Sequence, residues 1–313
     1  MAFNNIVGRA DVAGIIPEKY SNELIEAITE QSHVMRLARR LRNMTVYEER
    51  MPVLSALATA FFLDGDTDLV PTSEVNWKNV YVYAKDVVSL VPIPRNVLAD
   101  STIPLWEAIR PELATAAGVT VDNATLYGQG APREGWPTAI ITAANSAGHA
   151  VSEAAHVDLY DAILATNGVF SLVEQDGFGV TGSIADLSMR GKLRESRDAN
   201  GNPIFNRDPV IAAQYNLDGT PILFPTNGAG NATYPLVSGD WSKLVYSIRQ
   251  DMQFDIYTEG VIQDSAGNII YNLMQQRMAA IMLTMRLGFA LPNPINRVNP
   301  TEATRYPFAY LTA

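Results

Sequence analysis

No cysteine occurs anywhere in the 313 residues. Disulfides, thiolate metal sites and cysteine nucleophiles are therefore excluded. Lysine is scarce, with five residues against 18 arginines. Most positive charge thus sits on a planar group suited to bidentate pairing at interfaces. The histidines are His33, His149 and His156, too dispersed for a metal site or a triad. No GxSxG, HExxH or phosphate-loop motif is present. The longest apolar run, residues 278–291, is interrupted by Arg286 and is too short to span a bilayer. The first residues lack the basic-then-apolar pattern of a secretory signal. These absences predict a soluble chain, away from membranes, with no catalytic centre and no cofactor or metal.

The net charge is −10, which argues against nucleic-acid binding by the whole surface while leaving room for a local basic patch. With 47% hydrophobic and 18% charged residues, the chain can bury a sizeable core as one large domain or two to three smaller ones.

What is present is concentrated in residues 45–93. Residues 45–54 (TVYEERMPVL) and 76–83 (NWKNVYVY) have the composition of strands. Between them runs a connection of about twenty residues with the acidic tip Asp64, Asp66 and Asp68, and loops that long are functional or disordered. An arm that carries Phe61, Phe62 and Trp77 but little core of its own is expected to bury them against another copy of the chain. That points to assembly rather than catalysis.

Residues 17–42 read as an amphipathic helix, with Leu24, Ile28, Val34, Met35, Ala38 and Leu41 on one face. Its acids come early, and Arg36, Arg39, Arg40 and Arg42 come late, which complements the helix dipole. It serves either as a surface helix or as an arm whose basic end meets an acidic neighbour or nucleic acid. Residues 101–128 predict a long helix, bent or restarted at Pro111 and ended by Gly128 and Gly130. A helix broken near Asn167 and Gly168 is expected over 157–173, and another over 183–197 with Ser183 as its cap. Residues 198–203 read as a turn. Strands are expected at 220–224, 243–248, 252–258 and 306–311. Residues 278–290 alternate like a strand, although their Met and Ala content allows a helix ending near Leu283.

Two motifs invite chemistry. Gly177-Phe178-Gly179-Val180-Thr181-Gly182 matches GxGxxG, which would let a pyrophosphate approach the backbone at a helix start. The parallel strand that should precede it is not evident. Asp64, Asp66 and Asp68 are spaced like calcium-loop ligands, but the sixth and twelfth positions hold Leu69 and Val75. A solvated acidic tip, or one paired with Arg on a neighbour, fits better.

The order of the pieces resembles the major capsid protein family of tailed bacteriophages, whose fold is shared with herpesvirus shells. The segment Val121-Asp122-Asn123-Ala124-Thr125-Leu126-Tyr127-Gly128-Gln129-Gly130 looks like that family's helix end and glycine corner. Residues 198–205 (DANGNPIF) resemble its axial-domain turn, and Gly239-Asp240-Trp241 its step into a strand. Met282-Leu283-Thr284 with residues 306–311 resembles its closing sheet.

The resemblance implies an α+β capsid fold. It would comprise an N-terminal arm (1–43), an extended two-stranded loop (44–93), a peripheral domain with a spine helix (94–135 and 272–313) and an axial domain (136–271). It further implies hexamers and pentamers in an icosahedral shell around double-stranded DNA, touched without sequence specificity. A portal and a separate scaffolding protein would assist, with assembly in the cytoplasm of a bacterial host. Some members weld subunits by a Lys–Asn isopeptide bond aided by a Glu. Here no Lys occurs from Met51 to Trp77, and the Asn and Glu positions align with Ile281 and Gly288. Lys78 could serve only in a different alignment. Contacts are therefore expected to be non-covalent, through Phe61, Phe62, Asp64, Asp66, Asp68 and Trp77 on the loop. Arg297 and Arg305 are the basic partners of the tip, and Arg36, Arg39, Arg40 and Arg42 serve the arm. The alternatives are a nucleotide-binding enzyme using Gly177–Gly182, a tail component, or an encapsulin-like compartment shell.

Overall fold

The computed structural model describes residues 32–62, 69–70, 72–100, 105–196, 215–264 and 266–313. In chain order, α1 (His33–Leu37) leads to β1 (Arg39–Arg40), β2 (Glu48–Leu54), β3 (Trp77–Tyr83) and β4 (Lys85–Pro94). Then come α2 (Arg95–Asp100), α3 (Leu105–Leu126), α4 (Ile140–Ala147), β5 (Ala150–Ser152), α5 (Leu159–Leu164) and α6 (Val169–Gln175). Next are β6 (Gly182–Ala185), α7 (Met189–Glu195), β7 (Tyr215–Leu217), β8 (Thr220–Leu223) and β9 (Leu236–Gly239). The chain closes with β10 (Val245–Tyr257), β11 (Val261–Gln263), β12 (Ile269–Asn272), β13 (Met278–Ala290) and β14 (Phe308–Thr312). Strands β1, β10, β13 and β4 form a four-stranded sheet in that order.

Two compact units emerge, the first drawing on 86–118 and 250–286, the second on 32–85, 119–249 and 287–313. In the first, Leu273, Met278 and Ala280 form a small core below the antiparallel pair β11–β12. Arg286 pairs with Asp86, and the Arg110 guanidinium lies 5.7 Å from the centre of the Phe254 ring. The spine helix α3 runs through Pro111 as one helix rather than restarting there, without the one backbone hydrogen bond that a proline cannot donate.

The second unit is built on a six-stranded mixed sheet in the order β5-β14-β9-β6-β8-β7. Helices α5, α6 and α7 cover it, burying Ile163, Phe170, Val173, Met189 and Leu193 against Ile222, Leu236 and Leu311. The break near Asn167 and Gly168 separates α5 from α6, with Asn167 at φ 66°. Gly128 and Gly130 both have positive φ, as the corner after α3 demands.

Four sequence expectations change. Residues 17–31 and 198–205 lie outside the described residues. The basic end of the predicted arm helix is not helical beyond Leu37: Arg39 and Arg40 instead pair in parallel with Val245 and Tyr246. The free edge of β10 offers backbone partners that outweigh helix propensity, as Arg39 N–H donates to the Leu244 carbonyl at 2.9 Å and Leu41 N–H to that of Tyr246 at 2.8 Å. Residues 183–185 are strand rather than helix. The Ser183 hydroxyl bonds that of Ser238 at 2.8 Å inside the sheet instead of capping a helix. The pair expected at 243–248 and 252–258 is one continuous strand, β10. Residues 278–290 form a strand throughout, and the helical alternative fails. The closing strand β14 lies inside the six-stranded sheet, between β5 and β9.

Candidate inter-subunit surface

The loop begins as an antiparallel ribbon, with Glu48 opposite Tyr83 and Leu54 opposite Trp77. Ser55 N–H extends the ladder to the Asn76 carbonyl at 2.8 Å. A two-stranded ribbon is marginal in water unless one face is covered. Here half of its residues are exposed, among them Trp77 at 64% and Tyr81 at 43%, and beyond the ribbon so are Phe61 at 56% and Phe62 fully. Only its root is packed, where Val82 joins Met44, Ala84, Val245 and Ala290. Asp64, Asp66 and Asp68 lie outside the described residues.

The four arm arginines are all exposed. Arg42 pairs with Glu49 at 2.8 Å, and Arg40 donates to the Asn43 side chain at 3.1 Å. Arg297 is exposed and donates to the Ala58 carbonyl at 2.9 Å, at the foot of its own loop. Arg305 is different. It is 3% exposed and gives its N–H groups to the carbonyls of Asn299 and Asn293 in its own chain. Its guanidinium is thus enclosed within its own chain, whereas Arg297 is exposed. Lys78 pairs with Glu302, also of its own chain.

Two buried carboxylates lie outside the expected contact residues. Asp176 is one: its carboxylate accepts from Tyr306 N–H at 2.6 Å, the Asn299 amide at 2.7 Å and His149 Nε2 at 3.1 Å. Asn296 donates to its main-chain carbonyl at 2.6 Å. The other is Asp122, on the inner face of α3. It accepts from Ser32 Oγ at 2.6 Å and from the N–H groups of His33 and Val34 at 3.0 and 3.2 Å. A residue ninety positions away thus serves the first donors of α1. The one signal for it was an acid among the apolar residues of the helix stripe.

Burial pushes the Asp122 carboxyl up to about 6, against the pull of its three donors. A folded-state pKa above the unfolded value means that the folded chain holds the proton more tightly. The resulting stabilisation is fully present below the ordinary carboxylate pKa and is lost as pH rises through about 6. The expected gain at pH 5 relative to pH 7.5 is about 1.4 kcal/mol. His33 acts oppositely, since burial and then Arg36 lower its pKa. Comparing urea midpoints of wild type and Asp122→Asn at both pH values isolates the carboxylate. A wild-type-minus-variant difference that does not grow towards pH 5 contradicts this assignment.

The glycine motif cannot cradle phosphate. It follows helix α6 and runs into strand β6, the reverse of the strand–loop–helix order that a dinucleotide needs. Gly177, at φ 74°, terminates α6, and Gly182 lets the Trp241 indole donate to its carbonyl at 2.9 Å. Among the described residues no group of three metal-ligating side chains converges, and no helix is long and apolar enough to cross a membrane.

Ribbon, spine helix, glycine corner and mixed sheet together define a shell-building architecture, and the comparisons agree. The phage capsid family matches residues 13–296. The chain is 24% identical over 307 residues to the major capsid protein of Klebsiella oxytoca phage phiKO2, covering 93% of this chain and 68% of that one. It is 20% identical over 302 residues to that of Staphylococcus phage 80alpha, covering 91% and 84%. A solved chain from Microbacterium phage Oxtober96 superposes with a TM-score of 0.77 at 28% identity, covering 98% of this chain and 99% of that one. The chain belongs to the phage capsid family. It is a major capsid protein, many copies of which build the virion shell. Neither the nucleotide-binding nor the compartment-shell alternative is favoured by these matches.

Proposed function

We propose that this capsid protein assembles as hexamers and pentamers into an icosahedral shell around double-stranded DNA, held by non-covalent contacts alone. Assembly takes place in the host cytoplasm with a portal and a separate scaffolding protein. The observation that carries the reading is the exposed ribbon, whose aromatic residues have no core in their own subunit. In a shell family the missing cover is a neighbouring copy. The absence of a Lys–Asn weld is supported at three points. Residues 51–77 contain no Lys, Ile281 is fully buried, and a Cβ at Gly288 would lie 2.5 Å from the Tyr83 carbonyl oxygen. The arm arginines, exposed beside the sheet edge, suit phosphate or an acidic neighbour.

Electron microscopy of the purified chain tests the reading, with closed shells expected. Phe61→Ser combined with Phe62→Ser should abolish shells while shifting subunit stability by less than about 0.5 kcal/mol, as expected of surface sites. Reversing charge at Asp64, Asp66 and Asp68 should also impair closure. Normal shells from both variants would remove the loop from its proposed role. Nucleic-acid content of particles recovered from infected cells separates a genome container from a cargo compartment.

A further inference from the structure

The hairpin β11–β12 of the first unit, with the end of β10 that leads into it, presents apolar side chains to solvent. Ile269 and Met274 are 63% and 73% exposed, and Ile256, Val261, Ile270 and Tyr271 are exposed as well. Apolar groups gathered on one exposed hairpin mark a protein contact. The hairpin is also fixed where it turns. The Asp264 carboxylate accepts from the N–H groups of Ala266 and Asn268 at 2.9 and 2.8 Å and from the Asn268 amide at 3.0 Å. A surface ordered before binding loses less freedom on docking. Its charge is of one sign. Between Arg249 and Arg277 the chain holds Asp251, Asp255, Glu259 and Asp264 but no Lys or Arg. Asp264 serves the turn. Asp255 and Glu259 are exposed and have no ion-pair partner among the described residues. Arg95 of α2 gives an N–H to the Thr258 carbonyl at 3.3 Å rather than to either acid.

The complement of this surface is apolar and basic, and the chain carries one. Residues 36–50 hold five arginines against two glutamates. Arg39 and Arg50 are exposed, as are Val46 and Tyr47 between them, and one of the glutamates, Glu49, is already taken by Arg42. We propose that the hairpin of one copy docks on residues 36–50 of another copy, with Asp255 and Glu259 facing Arg39 and Arg50 and the apolar side chains meeting Val46 and Tyr47. Two hairpins set against each other would oppose like charges, which disfavours a contact between identical faces. A head-to-tail contact uses both surfaces of every copy and lets successive copies close into rings. The proposal rests on the shell reading and names the acidic neighbour that the arm arginines meet.

Two charge-reversed variants test it, Asp255→Arg with Glu259→Arg on the hairpin and Arg39→Glu with Arg50→Glu on the arm. All four side chains are exposed, so the melting temperature of the free subunit should hold. Each variant alone brings like charges together, and the protein concentration at which particles appear, followed by light scattering without nucleic acid, should rise about tenfold or more. An equal mixture of the two should assemble near the wild-type concentration, because each reversed hairpin then finds a reversed arm on the other chain. Either variant assembling normally on its own overturns the proposal, since the hairpin or the arm then meets some other partner. A mixture that assembles no better than its components also overturns it. That includes the case in which one chain carrying all four substitutions does assemble, which places the contact within a chain. Wild-type protein that forms no shells removes the shell reading and this proposal with it. Wild-type shells beside a failed mixture remove this proposal alone.

Discussion

Asp176→Ala is expected to destabilise the subunit by about 3–5 kcal/mol, the usual cost of breaking a buried charged network by removing one partner. The carboxylate ties three separate parts of the fold together. His149 precedes β5, Asn299 lies in the connection between β13 and β14, and Tyr306 sits just ahead of β14. Removing it strands the Tyr306 N–H and takes away one of the two carboxylates, the other being Glu302, whose charges favour the buried Arg305 guanidinium. Burial already lowers the Arg305 pKa, and Glu302 and Asp176 oppose that shift. The melting temperature should fall on the order of 10 °C. Asp176→Asn, which keeps the shape and one acceptor, should lose less. A change under about 1 kcal/mol for the alanine variant would show that the network is not structural.

The second large effect is expected at Gly239. A Cβ there would lie 2.3 Å from the Pro307 carbonyl oxygen and 2.5 Å from the Phe308 ring. Gly239 pairs with Gly182 on one side and Phe308 on the other, so both neighbouring strands hold it in place. The obstructing oxygen belongs to backbone and cannot rotate aside. Gly239→Ala should therefore cost about 3 kcal/mol, the upper end for an overpacked interior, and deplete soluble protein on expression. Gly179→Ala, where a Cβ meets open space, is the control and should be nearly neutral. Equal urea midpoints for the two variants would refute the argument.

These two sites show where sequence reasoning stops. The ribbon was legible because β-branched and aromatic residues on both arms agree with a strand, and the observed pairing covers 48–54 and 77–83 of the expected 45–54 and 76–83. The spine helix was legible from its stripe and its glycine corner. Residues 39–40 and 183–185 were misread because local pattern favoured helix while a distant sheet supplied the backbone partners. Asp122 and Asp176 look like ordinary surface acids in sequence. Ser32, which donates to Asp122, and Tyr306, which donates to Asp176, lie 90 and 130 residues away, and no spacing rule reaches that far. Arg305 is enclosed by carbonyls only six and twelve residues away, but their convergence depends on the fold of that connection and not on any spacing pattern.

The place of β14 has a consequence for the order in which a subunit is made. Tyr310 pairs with Ala150 on one side and Val237 on the other, so a late-translated segment fills the gap between two strands synthesised long before it. Until then β5 and β9 each present an open edge, the kind of surface that recruits stray strands. Closing that gap joins residues far apart along the chain, which slows folding. A polypeptide still on the ribosome therefore cannot finish this sheet before residue 312 has emerged.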